Sequence, residues 1–269
     1  MSPPDRHSLI AAVERSPQAA AAHDRAAWVG LFTGNGRVED PVGSRPHVGH
    51  EQIGRFYDTF IAPRAIKFHR DLDIVFGSVV LRDLELEVAM DSAVTSGVTM
   101  YIPALLRYDL REINGELQID VLRAYWELPA MMVQFLRSGS NAVSPALHLS
   151  RALLGNQGLR GTAGFMSGFR RAGARHKKLV VSFVQALAQG DEQAALRTLS
   201  RSAPITLGDT DPLDVAELAE QLGGGAHAKI IGSGSTVAVS LSSVHGRGIL
   251  FADVAWRGSQ ITRVRYFPS

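Results

Sequence analysis

The chain has 269 residues, with 28 Lys and Arg against 26 Asp and Glu, and no cysteine. That length suits two domains of roughly 120 residues better than one core. A formal charge of +2 gives no ground for nucleic-acid binding, and the lack of cysteine excludes disulfides, thiolate metal sites and cysteine nucleophiles.

The opening stretch MSPPDRHSLIAAVERS carries acids early and lacks the apolar core of a secretion signal. No run approaches the ~20 apolar residues of a membrane span, so a cytoplasmic protein is the expectation. Residues 5–32 read as helical, broken near Pro17 and again at His23-Asp24. A short strand, Arg37-Val38-Glu39-Asp40, ends at Pro41 and leads into the loop VGSRPHVG. In HEQIGRFYDTFI, Ile53, Phe56, Tyr57 and Phe60 fall on one helical face. Four strands are predicted next, at 66–76, 79–90, 97–113 and 116–128, with Ile113-Asn114-Gly115 as a hairpin turn. Helices followed by a strand meander predict an α+β cone, a curved antiparallel sheet wrapped around its helices.

The last third repeats this order. A helical pair covers 176–200, a third helix 211–222, and strands run from about 228 to 267. Asp24-Arg25-Ala26-Ala27-Trp28 aligns with Glu192-Gln193-Ala194-Ala195-Leu196, which favours duplication. The domains expected are 1–128, a connector at 129–173, and 174–269. No Asp or Glu occurs from Leu128 to Gly190, while Arg137, Arg151, Arg160, Arg170, Arg171, Arg175, Lys177 and Lys178 do. Such a basic segment suits weak contact with anionic lipid or an acidic partner. The simpler expectation is a helical connector packed on both domains.

The segment VEDPVGSRPHVGHEQIGRFY resembles the ketosteroid isomerases and SnoaL-like proteins of the nuclear transport factor two-like superfamily. Leu122-Arg123-Ala124-Tyr125-Trp126 is similar to their last strand, so the resemblance covers about residues 8–128, with a degenerate second copy in about 174–269. It implies an open cone that admits a small apolar ligand, steroid- or polyketide-like, and needs no cofactor. It implies Asp40 as the base that takes a proton beside a ketone and returns it further along the conjugated system. The family's oxyanion donors are a tyrosine on the first helix and a protonated aspartic acid on a long strand. Ser16 and Ala104 stand in those places. Tyr57 and Trp126 are the polar groups that the resemblance offers in compensation. Phe32, Ala104, Leu122 and Ala124 are expected to line the pocket, with His69 and Tyr101 as further polar candidates.

Each of these has a plainer reading. Asp before Pro commonly ends a strand by bonding its own loop. Buried aromatics are more often packing than chemistry, and a histidine is often satisfied by a carbonyl. Two functions therefore stay open: a proton-shuttling isomerase or related lyase, and a binding protein that holds an apolar ligand or a partner without chemistry. Counting without gaps from the shared helix puts Gly208 opposite Asp40, Arg265 opposite Ala124 and Phe267 opposite Trp126, which predicts a blocked second cone. That half would serve as a packing partner, giving either a monomer with an internal pseudo-dimer or a homodimer. No phosphate loop, HExxH or GxSxG is present, and His47 and His50 lack an acidic cluster, so no metal site is expected.

Overall fold

The computed structural model describes residues 4–90, 98–137, 172–257 and 259–269. The chain divides into two compact units, Met1–Phe169 and Arg170–Ser269. In the first, α1 (Arg6–Ala21) starts on Asp5, whose carboxylate accepts from the Ser8 amide at 2.7 Å. Pro17 lies buried inside this helix and does not end it; the chain turns only at His23, where φ is 53°. Asp24 then caps α2 (Arg25–Gly30), accepting from the Ala27 amide at 2.9 Å.

Strand β1 (Phe32–Glu39) is longer than its sequence suggested. Phe32 pairs with Ile119 and Arg37 with Val121, so five residues of β1 pass two of its neighbour. This bulge hides the strand from any test of alternation. The short β2 (His47–Val48) leads into α3 (Gly49–Phe56), which continues as one π-helical turn, Tyr57–Ile61. The meander follows as β3 (Ala65–Phe76), β4 (Val79–Met90), β5 (Val98–Ile113) and β6 (Glu116–Tyr125). The sheet order is β2-β1-β6-β5-β4-β3, with β1 parallel to β6 and every other pair antiparallel. This is the α+β cone expected.

Alternation along β5 sends Met100, Ile102, Ala104, Leu106 and Tyr108 into one core with the helices. Each fully buried Leu or Phe there contributes roughly 1.5–3 kcal/mol. One charge interrupts that face. Arg82 on β4 is 1% exposed, grips Asp73 of β3 through two bonds of 2.8 and 3.1 Å, and lies 2.9 Å from Glu14 of α1. Ile74, Leu81, Leu105 and Tyr125 lie outside that core and are buried too, so part of the sheet is covered on both faces. Helix α4 (Leu128–Arg137) follows β6 and packs on the same core through Leu128 and Phe135. Residues 129–137 of the expected connector therefore pack with the first unit, while residues 138–171 lie outside those described.

The second unit repeats the order, with α5 (Ala174–Ala188), α6 (Glu192–Thr198), β7 (Ile205–Leu207), β8 (Asp211–Pro212) and α7 (Val215–Leu222). Strands β9 (Ala226–Ser233), β10 (Thr236–Ser243), β11 (Gly246–Val254) and β12 (Ile261–Pro268) complete it. Its sheet runs β8-β7-β12-β11-β10-β9, the first order over again, with β7 parallel to β12. The cap of α7 is Asp214, in a capping box with Glu217. Among the described residues, no helix is long and apolar enough to cross a membrane.

Candidate active site

Asp40 directly follows β1, one residue past the Glu39–Arg123 pair, and its peptide bond to Pro41 is cis. The next strand is held beside it by a bond from the Val42 amide to the Ala124 carbonyl, 2.8 Å long. Asp40 keeps part of its surface accessible, yet protein mass crowds it so densely that burial raises its carboxyl from the usual 3.8 to about 6. The indole N–H of Trp126 donates to its Oδ1 at 2.5 Å, favours the charged form and opposes the burial effect.

The sheet places Leu122 and Ala124 beside this carboxylate, 6% and 1% exposed, on the face that carries the core. Ala104 and Leu106 continue that wall on β5, Leu106 being paired with Ala124. All four are small or apolar, with no side-chain donor or acceptor. The helical layer contributes an aromatic nest around Trp28, whose ring centroid lies 4.9 Å from Phe32 and 5.6 Å from Tyr57. The Tyr57 hydroxyl is buried with no hydrogen-bond partner among the described residues. Burial, and after it the carboxylates of Asp24 and Asp58, raise its pKa. Asp40 and Trp126 are thus joined to each other, and Phe32 and Tyr57 to Trp28.

Trp126 has only one donor, and Asp40 uses it. It is therefore not free to polarise a ligand oxygen while that bond lasts. Ser16 is buried and already accepts the Trp28 indole N–H at 3.2 Å; it also hydrogen-bonds Tyr108. Burial pushes the Tyr108 phenol up to about 12, so it stays neutral.

Two of the expected residues are elsewhere. His69 is half-exposed on β3 and pairs with Glu87 at 2.8 Å, on the sheet face turned away from the core. Tyr101 is 49% exposed, between the inward-facing Met100 and Ile102. Strand alternation sends both outward, which could not be read before the register was known. Conversely, sequence reasoning missed Trp28 and Tyr108, because both sit in amphipathic runs that read as packing. It also missed His47, whose ring lies 5.1 Å from Phe56 and whose pKa falls to about 4 through burial and then Arg45 and Arg55.

The second unit lacks this arrangement. Asp191 caps α6 as Asp24 caps α2, accepting from Ala194 at 2.9 Å. Sixteen residues beyond each capping aspartate stand Asp40 and Leu207, so the sequence alignment through Gly208 was one residue out. The expectation that Arg265 enters the second cone is also overturned. Val264 and Tyr266 face that core, while Arg265 lies on the other face, bonded to Asp253 at 3.0 and 3.1 Å and 5.6 Å over the Phe251 ring. Phe267 is on that outer face as well, edge-on to Phe251 at 5.8 Å. Tyr266 fills the inside instead, tight against Gly248, where even a Cβ would sit 2.5 Å from its ring.

A curved mixed sheet around helices, with a desolvated carboxylate at the end of its first strand, defines the cone-shaped α+β class. Residues 9–102, which lie within the first unit, match the family model of the Nuclear transport factor 2 (NTF2) domain. Solved structures that the chain is similar to include RV0760c of Mycobacterium tuberculosis in complex with estradiol-17beta-hemisuccinate. It is 24% identical over 45% of this chain and 95% of that one, with a TM-score of 0.40. Delta 5-3-ketosteroid isomerase from Mycobacterium sp. is 24% identical over 46% of this chain and 96% of that one, at 0.40. An LEH-like epoxide hydrolase of M. tuberculosis is 17% identical over 53% and 99%, at 0.41. No curated protein matches the chain.

Proposed function

We propose that the first unit is a ketosteroid isomerase-like enzyme that shifts a proton beside a ketone in a small apolar, steroid- or polyketide-like compound. Asp40 is the base. Its carboxylate takes the α-proton, the C–H electron pair passes into an enolate, and the same carboxyl returns the proton further along the conjugated system. The observation that carries this reading is the half-buried Asp40 carboxylate held by the Trp126 indole N–H. Burial raises its pKa to about 6, which leaves it mostly ionised at pH 7 yet a stronger base than an exposed aspartate. The apolar wall of Ala104, Leu122 and Ala124 suits a flat hydrocarbon skeleton. Tyr57 supplies the oxygen donor, because its hydroxyl is buried and has no partner of its own among the described residues.

Turnover of a panel of steroid and polyketide ketones tests this. Asp40→Asn is expected to lower kcat by about 10²–10⁴-fold, the usual contribution of a positioned base. Unchanged turnover would remove Asp40 from the mechanism.

A second reading has its own observation. Ser16 is engaged by Trp28 and Tyr108, and Ala104 carries no donor, so neither oxyanion position of the family is equipped. Losing one such donor costs on the order of 10²–10³ in rate. This favours a protein that binds an apolar ligand without converting it. Thermal protection by a ketone, with no product and no proton exchange, would select that reading.

A further inference from the structure

Helix α4 is held in a way that bears on Asp40. Strand β6 ends at Tyr125, opposite Leu105, so the β5 backbone from Val98 to Ala104 has no strand on that side among the described residues. Helix α4 takes the place. Leu128, Met131, Met132 and Phe135 recur at three- and four-residue intervals and pack into the core of the first unit. Gln134 stands in for the missing strand. Its Oε1 accepts from the Tyr101 amide at 3.2 Å, and its Nε2 donates to the Tyr101 carbonyl at 2.8 Å. Two bonds of opposite sense from one planar amide fix both position and orientation. Only Glu127 separates α4 from Trp126, the donor to Asp40.

We propose that Gln134 is a positioning residue: its clasp on Tyr101 anchors α4 and so keeps the Trp126 indole on the Asp40 carboxylate. The inference deepens the reading of Asp40 as the base, and the sign of its effect follows from the charges involved. The Trp126 bond favours the ionised carboxylate, so releasing it raises the Asp40 pKa further. Other charges nearby do not set that value. Arg37 and Arg123 hold Glu39 on the opposite face of the sheet, and Arg82 holds Asp73 and Glu14. Arg45 and His47 in the following loop, Tyr57 in the helical layer and Glu127 before α4 are likewise not among the causes, which are burial and then Trp126.

The test is the Asp40 carboxyl titration, followed by carbon NMR on the full chain without any ligand. Trp126→Phe is expected to raise the midpoint by about one pH unit, the worth of a hydrogen bond to a charged group. Gln134→Ala should move it the same way by a few tenths of a unit or more, and Gln134→Glu, which keeps an acceptor for Tyr101, by less. Val133→Ala, on the exposed side of α4, should leave it unchanged. A wild-type midpoint in Gln134→Ala beside a shifted Trp126→Phe overturns the role of Gln134 and leaves the base intact. An unshifted Trp126→Phe overturns the Trp126 contact itself. If Gln134→Ala does not fold, the Gln134→Glu midpoint decides in the same terms.

Discussion

At the scale of single residues, the protein places a carboxylate where water cannot fully solvate it, and that has a measurable cost. The folded-state pKa of Asp40 stands above its unfolded value, so burial favours the neutral acid. Its stabilising contribution is complete below about pH 4 and is lost as pH rises through about 6. Asp40→Asn should therefore unfold at higher temperature than wild type at pH 8, by up to about 3 kcal/mol, with the gain gone by pH 4. Thermal melts across that range check it. Tyr57 carries the opposite trade. Removing its unpartnered hydroxyl in Tyr57→Phe should leave stability equal or raise it by about 1 kcal/mol, while turnover falls. Asp40 was legible because the VEDP motif is local and contiguous. His69 and Tyr101 were not placed, since a side chain's face depends on strand register that no single segment encodes.

At the scale of elements, the cone depends on how α1 meets the sheet. Arg82 projects from β4 among Val80 and Leu84, and Asp73 and Glu14 neutralise it there. Asp73→Ala would leave a guanidinium that is 1% exposed with Glu14 alone and its two bonds to Asp73 unmade, and should cost about 3 kcal/mol in a denaturant titration. The four long strands of the first unit were visible as β-branched and aromatic runs joined by a turn signal. Strand β1 was seen only in its last part because its bulge breaks the alternation, and Pro17 was given too much weight as a breaker. Helix α4 read as connector for a physical reason. Its apolar stripe is short, and only the early end of β6 shows that there is a flank of β5 for it to cover.

At the scale of the whole molecule, one topology is used twice, and the carboxylate of Asp40 has no match in the second copy. The repeated strand order and the two capping aspartates, Asp24 and Asp191, show the duplication more directly than residue identity does. A one-residue error in the sequence alignment sent Arg265 and Phe267 to the wrong face, since the side-chain period in a strand is two. Leu207 stands where Asp40 would, and Tyr266 packs into the core of the second unit against Gly248, so among the described residues that unit has no matching carboxylate. Calorimetry with any apolar ligand that binds should therefore give one site per chain, and two equal sites would contradict this division of labour.

The most direct trial of the central claim is proton exchange in heavy water. Apolar ketones incubated with the protein in D2O should take up deuterium beside the carbonyl, in a reaction that strengthens as pH rises through about 6 and disappears in Asp40→Asn. Exchange at equal rates in wild type and Asp40→Asn, or none with any ketone that binds, would contradict it.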